Sequence, residues 1–271
     1  MYMKYLLFLI SLTLLTFSCK DKTIVYSDPI PEHDSLKIDS KFVNEARVIN
    51  VWTPPSYHAS NDSLPVLYMP DGGIKEDFPH IANTLDTLIK QNKIPKMILV
   101  GIENTVRGRD LTGPTNIEYD LGYIPNAGGA DNFRAFIKNE LFTEINKRYR
   151  TTHETSIIGE SLAGLFVMET FMLDPTMFNH YIAMDPSLWF NEHYLVNNFE
   201  TLTKANNYSD TTLWFAGSNA EDIFQYTKGL EQKLQNLDTS LIWTYCNEPN
   251  EAHNTIFRAT KEKALIWTFN H

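Results

Sequence analysis

Short apolar segments and helical segments take turns along most of this chain, and that alternation limits its fold more than any other feature. The apolar runs are PVLYM (65–69), MILVGI (97–102), TSIIG (155–159), YIAM (181–184), TLWFAG (212–217) and SLIWTYC (240–246). An earlier strand is expected in EARVINVWTPP, stopped by Pro54 and Pro55. Runs apolar on both faces suit a sheet that helices cover on both sides. Helical patterns fall between them, at about 80–92, 131–148, 162–173, 192–205, 221–237 and 252–269. In the second of these, Phe133, Phe136, Ile137, Leu141 and Ile145 recur at spacings of three and four, with Asp131 placed to cap the helix. The pattern predicts an α/β fold with a mostly parallel central sheet.

Composition narrows the partners. With 271 residues and 43% hydrophobic content, the chain can bury a full core. Lys and Arg total 23 against 33 for Asp and Glu, a net charge of −10. Nucleic acid is therefore not an expected partner, because its binding depends on neutralising phosphates with basic groups. The two cysteines, Cys19 and Cys246, cannot build a disulfide framework; Cys246 is expected as a thiol in the core of a strand.

Residues 1–18, MYMKYLLFLISLTLLTFS, place one Lys ahead of a Leu-rich stretch too short for a membrane span. Ser18 then meets Cys19, which resembles a bacterial lipoprotein signal with Cys19 as the lipidated residue. The expectation is an exported protein, lipid-anchored in the cell envelope. Residues 19–35 carry Pro, Asp and Lys without periodicity and are expected to be a tether, with one folded domain over 36–271.

The chemistry concentrates where the strand TSIIG meets a helix. Gly159-Glu160-Ser161-Leu162-Ala163-Gly164 has the spacing of a nucleophile elbow, with small residues two positions before and after the Ser. Such a turn projects the hydroxyl at a helix N-terminus, where backbone amides and the helix dipole favour developing negative charge. Ser161 is the candidate nucleophile. Of the eight histidines, His253 follows the last strand and opens the final helix, which makes it the candidate base. For the acid, Asp222 in the loop after TLWFAG leads, with Glu221, Asp185 and Glu248 as alternatives. Its role would be to orient the imidazole and stabilise its charged form. The Leu162 amide is the first expected oxyanion donor, and Pro70-Asp71-Gly72-Gly73 supplies the second through Gly73, with Ile74 as the alternative. Beyond MILVGI, Arg107 and Arg109 stand where ligands bind in open α/β sheets, ready to clamp an anionic or hydroxyl-rich substrate. Either one could equally be tied to Asp110 in a structural network.

The segments PVLYMPDGG, NTVRGRDLT, GGADNFRAFIKNELFTEINKRYRT, IIGESLAGLF and MFNHYIAMDPSLWF together resemble an esterase family of the α/β-hydrolase fold. It includes enterochelin- and salmochelin-type siderophore esterases, feruloyl esterases and S-formylglutathione hydrolases. The resemblance implies Ser161 as nucleophile, His253 as base, the Gly73 and Leu162 amides as oxyanion donors, and Trp189 near the substrate. It also implies hydrolysis of an ester, siderophore-type or carbohydrate-linked; with no HExxH, CxxC, Walker or GxGxxG motif in the chain, no metal and no cofactor are expected. The chain departs from the family at EAHNT, where His-Gly is common, and at Asp185, where a Ser is common before Pro186-Ser187. An acyltransferase on the same scaffold and a non-catalytic surface-binding lipoprotein are the alternatives.

Overall fold

The computed structural model describes residues 27–237 and 240–271. The expected signal segment, Cys19 and the first part of the expected tether lie outside the described residues. Eight strands form one sheet: β1 (Asp34–Ser40), β2 (Glu45–Trp52), β3 (Leu64–Pro70), β4 (Ile98–Ile102), β5 (Thr151–Glu160), β6 (His180–Met184), β7 (Thr212–Gly217) and β8 (Ile242–Asn247). Their order is β1-β2-β4-β3-β5-β6-β7-β8. The β1–β2 and β2–β4 pairings are antiparallel and every later one is parallel. The mostly parallel α/β sheet expected from the sequence is thus present, with an antiparallel edge.

Each of the seven expected strands has its counterpart, and β1 is added. Its sequence DSLKIDS is too polar to stand out, and it leaves most side chains at the sheet edge partly or fully exposed. Residues before 36 also contact the domain. Asp28 pairs with Arg258, Pro29 O accepts a hydrogen bond from Asn83 Nδ2 at 2.8 Å, and the His33 ring packs on Phe78. Part of the expected tether is therefore docked on the domain.

The inner strands divide their side chains between two cores. On β3, Val66 and Tyr68 enter one core, and Leu67 and Met69 enter the other. The second core is closed by α1 (Phe78–Lys90) and α10 (Ile256–Thr268). The opposite face is covered by α4 (Ala130–Phe136), α5 (Phe142–Arg148), α6 (Leu162–Leu173), α7 (Phe190–Asn197), α8 (Phe199–Thr203) and α9 (Glu221–Leu234). Two short helices not expected from the sequence, α2 (Arg107–Leu111) and α3 (Glu118–Tyr123), lie in the long connection after β4. A π-helical turn over Ile137–Leu141 joins α4 to α5. Asp131 does not cap this run: the N-cap is Gly129, and Asp131 in the first turn pairs with Arg134 at 2.7 Å. Cys246 lies half-buried on β8 against the second core, and burial pushes its thiol pKa up.

Candidate active site

The β5–α6 junction is tight. Ser161 sits between them at φ 60°, ψ −120°, a conformation that costs a side-chain-bearing residue free energy and marks functional turns. A Cβ on Gly159 would stand 2.6 Å from the Ala163 carbonyl carbon, so only glycine fits there. Two hydrogen bonds lace the turn to the neighbouring loop: Ser161 N donates to Met184 O at 3.1 Å, and Ser187 N donates to Ser161 O at 3.1 Å. Ser161 Oγ is thereby held at the carboxyl end of the sheet.

His253 reaches it from the loop before α10. Its Nε2 lies 3.0 Å from Ser161 Oγ, and its Nδ1 lies 2.9 Å from Asp185 Oδ2. With Nδ1–H donating to Asp185, Nε2 is left as the acceptor for the Ser161 hydroxyl. Asp185 follows β6, is fully buried, and takes a left-handed turn at φ 44°. Its carboxylate also accepts from the Ser218 amide and hydroxyl, both at 2.5 Å. Burial works against charging the His253 ring, but the hydrogen bond to Asp185 and the surrounding carboxylates outweigh it and hold the pKa above its ordinary value.

This arrangement differs from the expected one in its acid. Asp222 stands exposed in the first turn of α9, where a negative charge suits the helix dipole, and it lines the cavity without taking the imidazole's hydrogen bond. Glu221, its neighbour, is exposed as well, and Glu248 pairs with Lys263. Among the four carboxylates considered, Asp185 alone is both buried and bonded to the ring.

The Gly73 amide, expected as the second oxyanion donor, is engaged within its own turn. Gly72 N donates to Ile102 O at 2.9 Å, and Gly73 N donates to Glu76 Oε2 at 2.7 Å. The glycines serve close packing: a Cβ on Gly72 would meet Gly101 at 2.3 Å, and one on Gly73 would meet the Glu76 carboxylate at 2.8 Å. Of the three amides, only that of Ile74 has no hydrogen-bond acceptor among the described residues. The Leu162 amide, at the first position of α6, is likewise uncommitted, as the first amides of a helix are.

A cavity of about 540 Å³ opens over Ser161. Its walls include Leu162, Ile124, Ile223, Tyr123 and Trp189, and Arg107 lies at its edge. Tyr119 joins Tyr123 and Trp189 outside, with ring centroids 4.9–6.4 Å apart. The described residues hold no cluster of three or more His, Cys, Asp or Glu side chains suited to a metal.

The family model described as "Putative esterase" matches residues 40–263. The chain belongs to that esterase family. It is a carboxylic-ester hydrolase of the α/β-hydrolase fold. Among similar proteins, the ferri-bacillibactin esterase BesA of Bacillus subtilis is 27% identical over 253 residues, covering 82% of this chain and 85% of that one. An IroE-like serine hydrolase from Shewanella oneidensis superposes with a TM-score of 0.81 at 27% identity, over 88% of this chain and 80% of that one. The BES protein from Bacillus cereus shares the fold at 20% identity, with a TM-score of 0.78 over 91% and 99% of the two chains.

In the esterase the two arginines part ways. Arg107 borders the cavity, yet its Nε and Nη2 grip the two Asp71 oxygens, each at 2.7 Å. Arg109 is not brought to the cavity. It pairs with Glu45 at 2.6 Å and with Asp110 at 2.8 Å, beside the buried Arg47, which binds the same two acids. The expected substrate clamp is, at Arg109, a structural ion network.

Sequence reasoning passed over Glu160. Its side chain lies beside the ring, with Oε1 3.4 Å from His253 Nε2. Burial pushes its pKa up to about 8, opposed by the nearby His253 and Arg107 charges. The signal was an acid next to the Ser within the elbow, but only the fold turns it toward His253.

Proposed function

We propose that the esterase works through Ser161, His253 and Asp185 by way of an acyl-enzyme. His253 Nε2 takes the Ser161 proton as Oγ bonds to the ester carbonyl carbon. The tetrahedral oxyanion is met by the Leu162 amide and, in place of Gly73, by the Ile74 amide. The same proton then passes to the departing alkoxide as the ester C–O bond breaks. Water, deprotonated by His253, attacks the acyl carbon; the bond to Ser161 Oγ then breaks, His253 returns the proton to Oγ, and the carboxylic acid leaves. The observation that carries this reading is the continuous chain from Ser161 Oγ through His253 to Asp185, at 3.0 and 2.9 Å.

The substrate we propose is a small-molecule ester of the siderophore type, with a carbohydrate-linked ester as the second case. The names of relatives support the first: BesA, and the siderophore enterobactin esterase of Emericella nidulans, 30% identical over 109 residues. The aromatic wall of Tyr123 and Trp189 suits an aryl acyl group in either case. We also propose export and lipid anchoring at Cys19. Wild-type protein would then partition into detergent, and Cys19→Ser would not.

A fluorophosphonate probe followed by peptide mapping tests the nucleophile. Labelling at Ser161, absent from Ser161→Ala, is expected; equal labelling of both proteins would sink the assignment. Turnover of matched catecholate, feruloyl, acetyl-sugar and simple aryl esters then ranks the substrate classes.

A further inference from the structure

A second cavity, of about 480 Å³, lies on the other side of His253. It shares the His253 ring with the cavity over Ser161 but reaches neither Ser161 nor Leu162. Glu160, whose Oε1 is 3.4 Å from His253 Nε2, and Ile74 line it. The two cavities differ in chemistry. One is walled by aromatic and aliphatic side chains; the other by charged ones, among them Asp28, Lys75, Glu76, Asp77 and Arg258.

An ester has two arms, and the mechanism sends them to different places. The acyl arm stays bonded to Ser161, so it belongs in the cavity that Ser161 lines. The alcohol arm leaves with a proton from His253 Nε2, so it belongs where His253 is present and Ser161 is not. We infer that the second cavity receives the alcohol half of the ester, that this half is hydroxyl-rich, and that the segment Ser27–Ile30 forms its outer wall. Carboxylates and cations interleaved on one surface can accept from and donate to several hydroxyls, contacts that an aliphatic alcohol cannot make. The wall is held by the Asp28–Arg258 pair and by Pro29 O on Asn83, so the chain just before β1 is anchored to both α1 and α10. The inference rests on the ester-hydrolysis reading with Ser161 as nucleophile, and it adds the polarity of the departing group.

The test compares two benzoate esters, one of methanol and one of the 6-hydroxyl of glucose, with the full-length protein. Wild type should show a kcat/KM at least about tenfold higher for the glucose ester, the worth of one or two added hydrogen bonds. Ile30 is 54% exposed, so Ile30→Trp can fill the cavity from the wall without touching the core. Ile30→Trp and Lys75→Ala should each raise KM for the glucose ester about five- to tenfold and leave the methyl ester within about twofold. Fluorophosphonate labelling of Ser161 checks that the reacting centre is intact in every variant. Equal turnover of the two esters by wild type, or variants that change both esters in parallel or neither, would overturn the inference while leaving the hydrolase reading in place. No labelling and no turnover of either ester by wild type would overturn both.

Discussion

Two polar motifs stand at the same carboxyl end of the sheet, the elbow after β5 and the arginine-bearing turn after β4, and they spend their polar groups in opposite ways. In the arginine turn each charged side chain is held by an ion pair: Arg109 and Arg47 share Glu45 and Asp110, and Arg107 is locked on Asp71, with only the buried Nε of Arg47 lacking an acceptor within this network. In the elbow, Ser161 is held at positive φ and the Leu162 amide carries no acceptor. Satisfied charges build a scaffold, whereas strain and uncommitted donors next to a cavity are what chemistry can use. Residue type alone would rank the arginines above a lone serine.

The largest effect should come from the elbow. Ser161→Ala is expected to lower kcat by roughly 10⁵–10⁶-fold with the melting temperature nearly unchanged, measured on any ester that wild type turns over. A loss below about tenfold would remove the elbow from the chemistry. Asp185→Asn should cost roughly 10⁴-fold in kcat. It should also move the acid limb of kcat/KM to lower pH. Asp185 raises the His253 pKa, the neutral ring is the working base, and removing the carboxylate lets the ring lose its proton at lower pH.

The arginine turn should respond in stability instead. Arg109→Ala removes one of the two cations paired with the buried Asp110, leaving Arg47, and is expected to lower unfolding free energy by about 1–3 kcal/mol, with kcat within about twofold. A selective rise in KM for anionic esters at unchanged stability would reverse the contrast between the two motifs.

Glu160 tests the elbow through pH. Its carboxyl has an ordinary value of 4.5 and is raised to about 8 in the folded protein. The protonated form is thus favoured by folding, and its stabilisation is complete below pH 4.5 and is lost as pH rises toward 8. Glu160→Gln, which cannot ionise, should show a smaller fall in melting temperature between pH 5 and pH 8 than wild type, by roughly a few degrees. Parallel melting curves would mean that the side chain titrates as a solvated acid. The smallest effect is expected from Asp222→Asn, at most about threefold in kcat, because an exposed carboxylate reaches the ring only through screened space.

Much of this was legible along the chain. The strand runs placed seven strands in order, and the spacing of Gly159, Ser161 and Ala163 located the elbow because the close packing that it needs is local. His253 could be chosen by its place after the last strand. The acid could not, because Asp185 and Asp222 both follow strands that end at the same edge. What separates them is the left-handed turn at Asp185 and the Ser218 groups that receive its carboxylate from a loop 33 residues away. The Gly73 amide escaped for a similar reason, since its acceptor, Glu76, is near in sequence but brought round only by the turn.

By itself, then, the sequence determined the α/β sheet, the turn that presents Ser161 and the candidate base, all encoded in local periodicity and short-range sterics. The tertiary structure decided which carboxylate meets the imidazole, which arginines are already engaged, and that the segment before β1 walls a cavity beside His253. Those outcomes depend on where hydrogen-bonding partners from distant segments converge, and a linear pattern does not carry that convergence.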